Sequence, residues 1–140
     1  MTHAQEAWVA ILRRADLLRR RMTAIVAPAG LTAQQYNVLR ILRGAQPSPL
    51  PTLEIRERMI ESTPGITCLL DRLEEKALVR RERGREDRRV VECRITQAGL
   101  ALLADLDAAM AEADRRSLGS LSKEESLQLV DQRERIRATP

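Results

Sequence analysis

Apolar residues recur at helical spacing over most of the chain, and the breaks in that period mark where its elements end. From about Ala4 to Ala27, Trp8, Ile11, Leu12, Ala15, Leu18, Met22 and Ile25 keep a 3.6-residue period over roughly six turns, which predicts a long amphipathic helix. Its other face carries Arg13, Arg14, Arg19, Arg20 and Arg21, and Pro28 with Gly30 ends it. A helix of this length ahead of a compact centre either joins the core or reaches outward to a partner subunit; the second reading is favoured, with Trp8, Ile11 and Leu12 in that contact. Thr32 and Gln35 form a capping box for a second helix containing Tyr36, Val38, Leu39, Ile41 and Leu42, stopped near Gly44. Pro47, Pro49 and Pro51 then demand an irregular loop, since repeated prolines exclude a helix interior and a central strand. Thr52 is expected to cap a short third helix through about Met59, offering Leu53, Ile55 and Met59 to the core.

The most informative stretch is STPGITCLLDRLEEKAL followed by VRRERGREDRRVVECR. Ile66, Leu69, Leu70, Leu73 and Ala77 form an apolar stripe, so one face of a fourth helix is predicted to be buried. That helix is expected to start at Ser62 or Thr63, with Pro64 in the first turn, where its missing N–H costs nothing. Two short helices joined this tightly, the second with a polar non-core face, outline a helix-turn-helix. Strands are predicted over Val79 to Arg83 and Arg88 to Ile95, with Gly84 opening the turn: a β-hairpin wing. Thr96 caps a fifth helix carrying Leu100, Leu103, Leu106, Ala109 and Met110, and Ser122 with Glu125 opens a sixth carrying Leu127, Val130 and Ile136. Leu127 and Val130 join Trp8, Ile11 and Leu12 as expected dimer contacts. The predicted class is mainly α with a minor β component, a winged helix-turn-helix between long terminal helices.

Composition narrows the chemistry. At 140 residues and 44% hydrophobic content the chain fits one core, and a single unit over 1–140 is expected. No run reaches the roughly 18 apolar residues of a membrane span, and no secretory pattern is apparent, so a cytoplasmic location away from membranes is expected. Cys68 and Cys93 lack metal-site spacing and read as free thiols, while His3 stands alone near the N-terminus. Neither a zinc site nor an activated nucleophile is available, so no enzyme, no metal and no cofactor are expected. The net charge of +4 with an isoelectric point near 9.8 leans only mildly toward an anionic partner.

Charge placement is sharper. Between Arg80 and Arg94 stand seven arginines against four acidic residues, beside the polar helix face. That juxtaposition suits double-stranded DNA, with base edges met by the helix and phosphates or a minor groove by the hairpin. Thr63, Pro64, Gly65, Thr67 and Cys68 occupy the turns from which side chains reach base edges, and Arg72 lies one turn on, within reach of a guanine or a phosphate. Arg85, near the turn, is the residue expected in a minor groove, whose negative potential favours a guanidinium. Arg83, Arg88 and Arg89 are expected to meet phosphates or brace the hairpin, and Asp71 either to pair with a wing arginine or to stand as a helix-surface charge. Cys68 is either a small residue that fits the interface or an oxidant-sensitive thiol, and Cys93 a packed small apolar residue.

These segments, LTAQQYNVLRIL, PGITCLLDRLEEKALVRR and EDRRVVECRITQAGLALL, resemble the MarR family of winged helix-turn-helix regulators over nearly the full chain. The resemblance implies a homodimer whose terminal helices, about 4–27 and 97–137, interlock around lobes of about 32–95. It implies a recognition helix over Thr63 to Lys76 in each of two successive major grooves, wings in flanking minor grooves, and an Asp-x-Arg element at Asp87, Arg88 and Arg89. The implied function is a sequence-specific repressor on a pseudo-palindromic operator, many relatives being released by a small-molecule effector or an oxidant. Two positions depart from common family usage: Cys68 follows Thr67 where many relatives carry arginine, and Ser62 stands where some carry an aspartate that pairs with the wing arginine. The competing reading is a helical interaction adaptor that kept the fold and lost DNA binding.

Overall fold

A computed structural model of the chain describes residues 1–138; Thr139 and Pro140, the end of the single unit expected over 1–140, lie outside the described residues. Helix α1 (His3–Val26) is opened by a capping box between Thr2 and Gln5. It runs into a single 3-10 turn at Ala27–Ala29, closed by Gly30 at φ 78°. The predicted Thr32–Gln35 capping box opens α2 (Ala33–Ala45), with each reciprocal bond at 3.1 Å. There follow β1 (Leu50–Pro51), α3 (Thr52–Arg58), α4 (Ile66–Glu75), β2 (Val79–Arg83), β3 (Val91–Ile95), α5 (Gln97–Leu118) and α6 (Lys123–Ala138). Ser122 and Glu125 cap α6 reciprocally, as their spacing requires.

The hairpin belongs to a three-stranded antiparallel sheet ordered β1-β3-β2. Val79, Arg81 and Arg83 pair with Ile95, Cys93 and Val91, while Leu50 pairs with Cys93 from the other side. The added strand β1 falls within the proline-rich loop, where only an irregular path was expected. An edge strand accepts Pro51 because its missing N–H need not face a neighbour.

Leu39, Leu42, Ile55, Leu70, Leu73, Cys93 and Leu103 are fully buried, so one core joins α2, α3, α4, the sheet and the N-terminal half of α5. Only the end of α1 enters it, through Val26 with Met22 and Ile25 packed alongside. Arg43 of α2 donates twice to Asp107 of α5, at 3.1 and 3.0 Å, and Arg21 of α1 donates to Ser117 of α5 at 2.7 Å.

Local chemistry moves several predicted boundaries. Helix α4 starts at Ile66, not at Ser62 or Thr63, because Thr63 is buried and its hydroxyl donates back to the Glu61 carbonyl at 3.0 Å. Gly65 takes the N-cap position without any side-chain bond. The helix also stops before Ala77, which lies at φ 59° and outside the apolar stripe. The Leu78 N–H bonds the Leu73 carbonyl at 3.0 Å and the Ala77 N–H bonds that of Glu74 at 2.9 Å, a Schellman ending. Thr52 is the first residue of α3, capped by Pro51 without a side-chain bond, and Leu53 is solvent-exposed where it was expected in the core. Strand β3 starts at Val91, so Arg88 and Arg89 belong to the wing turn.

Candidate nucleic-acid interface

Helix α4 has one buried face and one open face. Ile66, Leu69, Leu70 and Leu73 are buried, while Pro64, Gly65, Thr67, Cys68 and Arg72 are exposed. Thr63, expected among them, is only 6% exposed, and its hydroxyl donates to the Glu61 carbonyl. The open face has two edges. Pro64, Gly65, Cys68 and Arg72 border a shallow groove shared with Thr32 at the start of α2. Thr67, Asp71 and Glu74 follow at i, i+4 and i+7 on the edge toward the sheet.

Arg81 of β2 fastens that second edge. Its guanidinium donates to Asp71 and, at 3.1 Å, to Glu74, while its main-chain N–H donates to Glu74 Oε2 at 2.8 Å. The Arg81 hydrogen bonds hold the Glu74 carboxyl below its ordinary value. Asp71 therefore has the wing-arginine partner expected of it. Glu74 was not anticipated in this cluster, although its i+3 spacing from Asp71 carried the signal. Two carboxylates that would repel a phosphate are held to one cation beside the sheet.

The wing turn is closed by the main chain: the Gly84 N–H bonds the Val90 carbonyl at 2.8 Å and the Val90 N–H bonds that of Asp87 at 3.1 Å. A Cβ at position 84 would stand 2.7 Å from the Asp87 carbonyl oxygen, so this closure needs glycine. Arg83 and Arg89 brace the turn. Arg83 donates to the Arg88 carbonyl at 2.9 Å, and Arg89 grips Asp87 through Nε at 3.1 Å and Nη2 at 3.2 Å. Those bonds hold the Asp87 carboxyl below its ordinary value, the Arg89 side chain contributing most. Arg89 thus finds its carboxylate inside the Asp-x-Arg element, and Ser62 takes no part. Arg72, Arg85 and Arg88 are exposed and make no side-chain hydrogen bond or ion pair among the described residues.

Cys68 is exposed and Cys93 buried, the latter with its thiol pushed up to about 12 by desolvation. Trp8, Ile11, Leu12, Leu127 and Val130 all lie on exposed helix surfaces of the single chain, Trp8 at 69%. A crevice of about 290 Å³ separates α1 from the lobe, lined by Leu18, Met22, Met59 and Ile60. Arg19 and Glu61 pair across its rim at 2.6 Å. No described helix is long and apolar enough to cross a membrane.

Comparison with known proteins agrees with this geometry. The family model described as MarR matches residues 31–91, from the start of α2 through the wing. The chain is 34% identical over 99 residues to the HTH-type transcriptional repressor MdtR of Bacillus subtilis, a stretch covering 71% of this chain and 63% of that protein. This chain thus spans just under two-thirds of the length of that curated relative. A MarR transcription factor structure from Planctomyces limnophilus is 40% identical, with TM-score 0.72, over 96% of this chain and 97% of that one. A variant of MarR from E. coli, solved in complex with operator DNA, shares the fold at 22% identity, with TM-score 0.79, over 91% of this chain and 90% of that one. The winged helix-turn-helix, its long terminal helices and these likenesses place the chain in the MarR family.

Proposed function

We propose that this chain is a homodimeric, sequence-specific regulator of transcription that binds double-stranded DNA and represses from a pseudo-palindromic operator. The observation that carries this is the set of unpartnered guanidinium groups. Arg72 on the open face of α4 and Arg85 and Arg88 at the wing tip stand on one braced scaffold, while Asp71 and Glu74 are tied to Arg81 and Asp87 to Arg89. In the complex, α4 occupies a major groove, Arg85 enters the adjacent minor groove, and Arg88 meets phosphates. Arg83 and Arg89 act first as braces and add positive potential.

A relative named as a repressor and a neighbour solved on operator DNA support the same role. The exposed apolar residues of α1 and α6 support the dimer, since a partner's matching helices would cover them. Two lobes related by a two-fold axis would read half-sites about 10 bp apart. A small apolar effector fits the crevice beside Arg19 and Glu61, and oxidation of Cys68 is the alternative release signal. The location consistent with this role is the cytoplasm. The test is binding to duplexes from upstream of the protein's own locus: the parent shifts a discrete palindromic site, and alanine at Arg83, Arg85 and Arg89 together abolishes the shift. Biological activity surviving that triple change would favour the adaptor instead.

A further inference from the structure

We infer that each half-site presents thymine methyl groups to the first turn of α4 and a guanine to Arg72, about two base pairs away. This rests on the DNA-binding role proposed above and specifies which bases the helix reads. Each base pair shows the major groove a distinct pattern, and only thymine shows a methyl group. The exposed first-turn side chains, Thr67 and Cys68, are short and end in a methyl-bearing carbinol and a thiol. Neither has the two-atom amide fork that grips adenine bidentately. A thiol behaves as a small hydrophobe, so both surfaces suit an apolar contact.

Asp71 and Glu74, on the edge toward the sheet, are engaged by Arg81, and the remaining carboxylate of this face, Glu75, stands two turns beyond Cys68, away from the first turn. Arg72 has no side-chain partner among the described residues and shares the groove edge with Cys68, so its fork is free for the O6 and N7 of guanine. Arg72 stands four positions after Cys68, a rise of about 6 Å along the helix. That distance matches about two base-pair steps of roughly 3.4 Å each.

The experiment is selection from a randomised duplex pool with the full chain, followed by anisotropy titrations on the winning site. Replacing each half-site thymine in turn by deoxyuridine removes only its methyl group, and is expected to weaken binding about fourfold at one or two positions. With Cys68→Ser, the penalty at one of those positions should fall below about twofold, the loss expected when the apolar contact of about one methyl is gone. Selection with Arg72→Ala should lose enrichment of one guanine, about two positions away, by about tenfold. A selected site that tolerates deoxyuridine throughout and keeps that guanine with Arg72→Ala overturns this inference alone. A pool that enriches no sequence overturns it together with the DNA-binding role.

Discussion

Arg81 reaches Glu74 from both its backbone and its side chain: the main-chain N–H donates to Oε2 at 2.8 Å and the guanidinium to Oε1 at 3.1 Å. Because the same guanidinium also holds Asp71, one residue ties two carboxylates of α4 to β2. Arg81→Gln should lower folding stability by on the order of 1 kcal/mol, discounted because Glu74 is partly solvated. The effect on DNA affinity should be larger than any contact Arg81 itself makes, since two carboxylates are freed. Adding Asp71→Asn and Glu74→Gln to Arg81→Gln should recover much of that affinity in a titration at fixed salt.

The same cluster predicts a pH dependence. Arg81 holds the folded Glu74 below its ordinary 4.5, so its contribution is fully present above about pH 4.5 and is lost as the pH falls through the lower folded value. Urea unfolding of the parent and Arg81→Gln should therefore differ by a constant amount near neutrality. The difference should shrink below about pH 4.5.

Ala77 ends α4 in the left-handed region, at φ 59°, where a Cβ is unfavourable. Ala77→Gly should raise stability by about 0.5 kcal/mol, the relieved strain being partly offset by a freer unfolded chain. Ala77→Val should lower it by on the order of 1 kcal/mol or more. Urea midpoints at unchanged m-value measure both.

Gly99 is held tightly for a different reason: a Cβ there would lie 2.5 Å from the Leu78 carbonyl oxygen and 2.7 Å from Ile95 Cγ1. Gly99→Ala should force α5 away from the sheet and cost about 1 to 3 kcal/mol. A melting curve matching the parent's would remove this packing from the account.

The thiols separate cleanly. Under native conditions a thiol reagent should label Cys68 alone, because Cys93 is buried with its thiol pushed up to about 12. Denaturant should release the second label per chain, as counted by intact mass.

Periodic elements were legible in the sequence because one face of each is committed to the core. The capping boxes at Thr32–Gln35 and Ser122–Glu125, the stripe through Leu69, Leu70 and Leu73, and the hairpin around Gly84 all stand where spacing places them. What was not legible depends on contacts distant in sequence. Thr63 looks like an N-cap by residue type, yet tertiary packing buries it and leaves the cap to Gly65. Leu50–Pro51 becomes a strand only because β3 offers a free edge. Wing arginines of identical chemistry divide into braces and free cations according to which oxygen each can reach, which only the folded turn decides.

The wing tip tests the central claim most directly. Fluorescence anisotropy on a selected palindromic duplex, over a salt series, compares the parent with Arg85→Ala. Affinity should weaken steeply with salt, and Arg85→Ala should bring a further loss on the order of 1 to 3 kcal/mol. Equal affinity of parent and variant for that site, or no preference for it over random duplex, would contradict that claim.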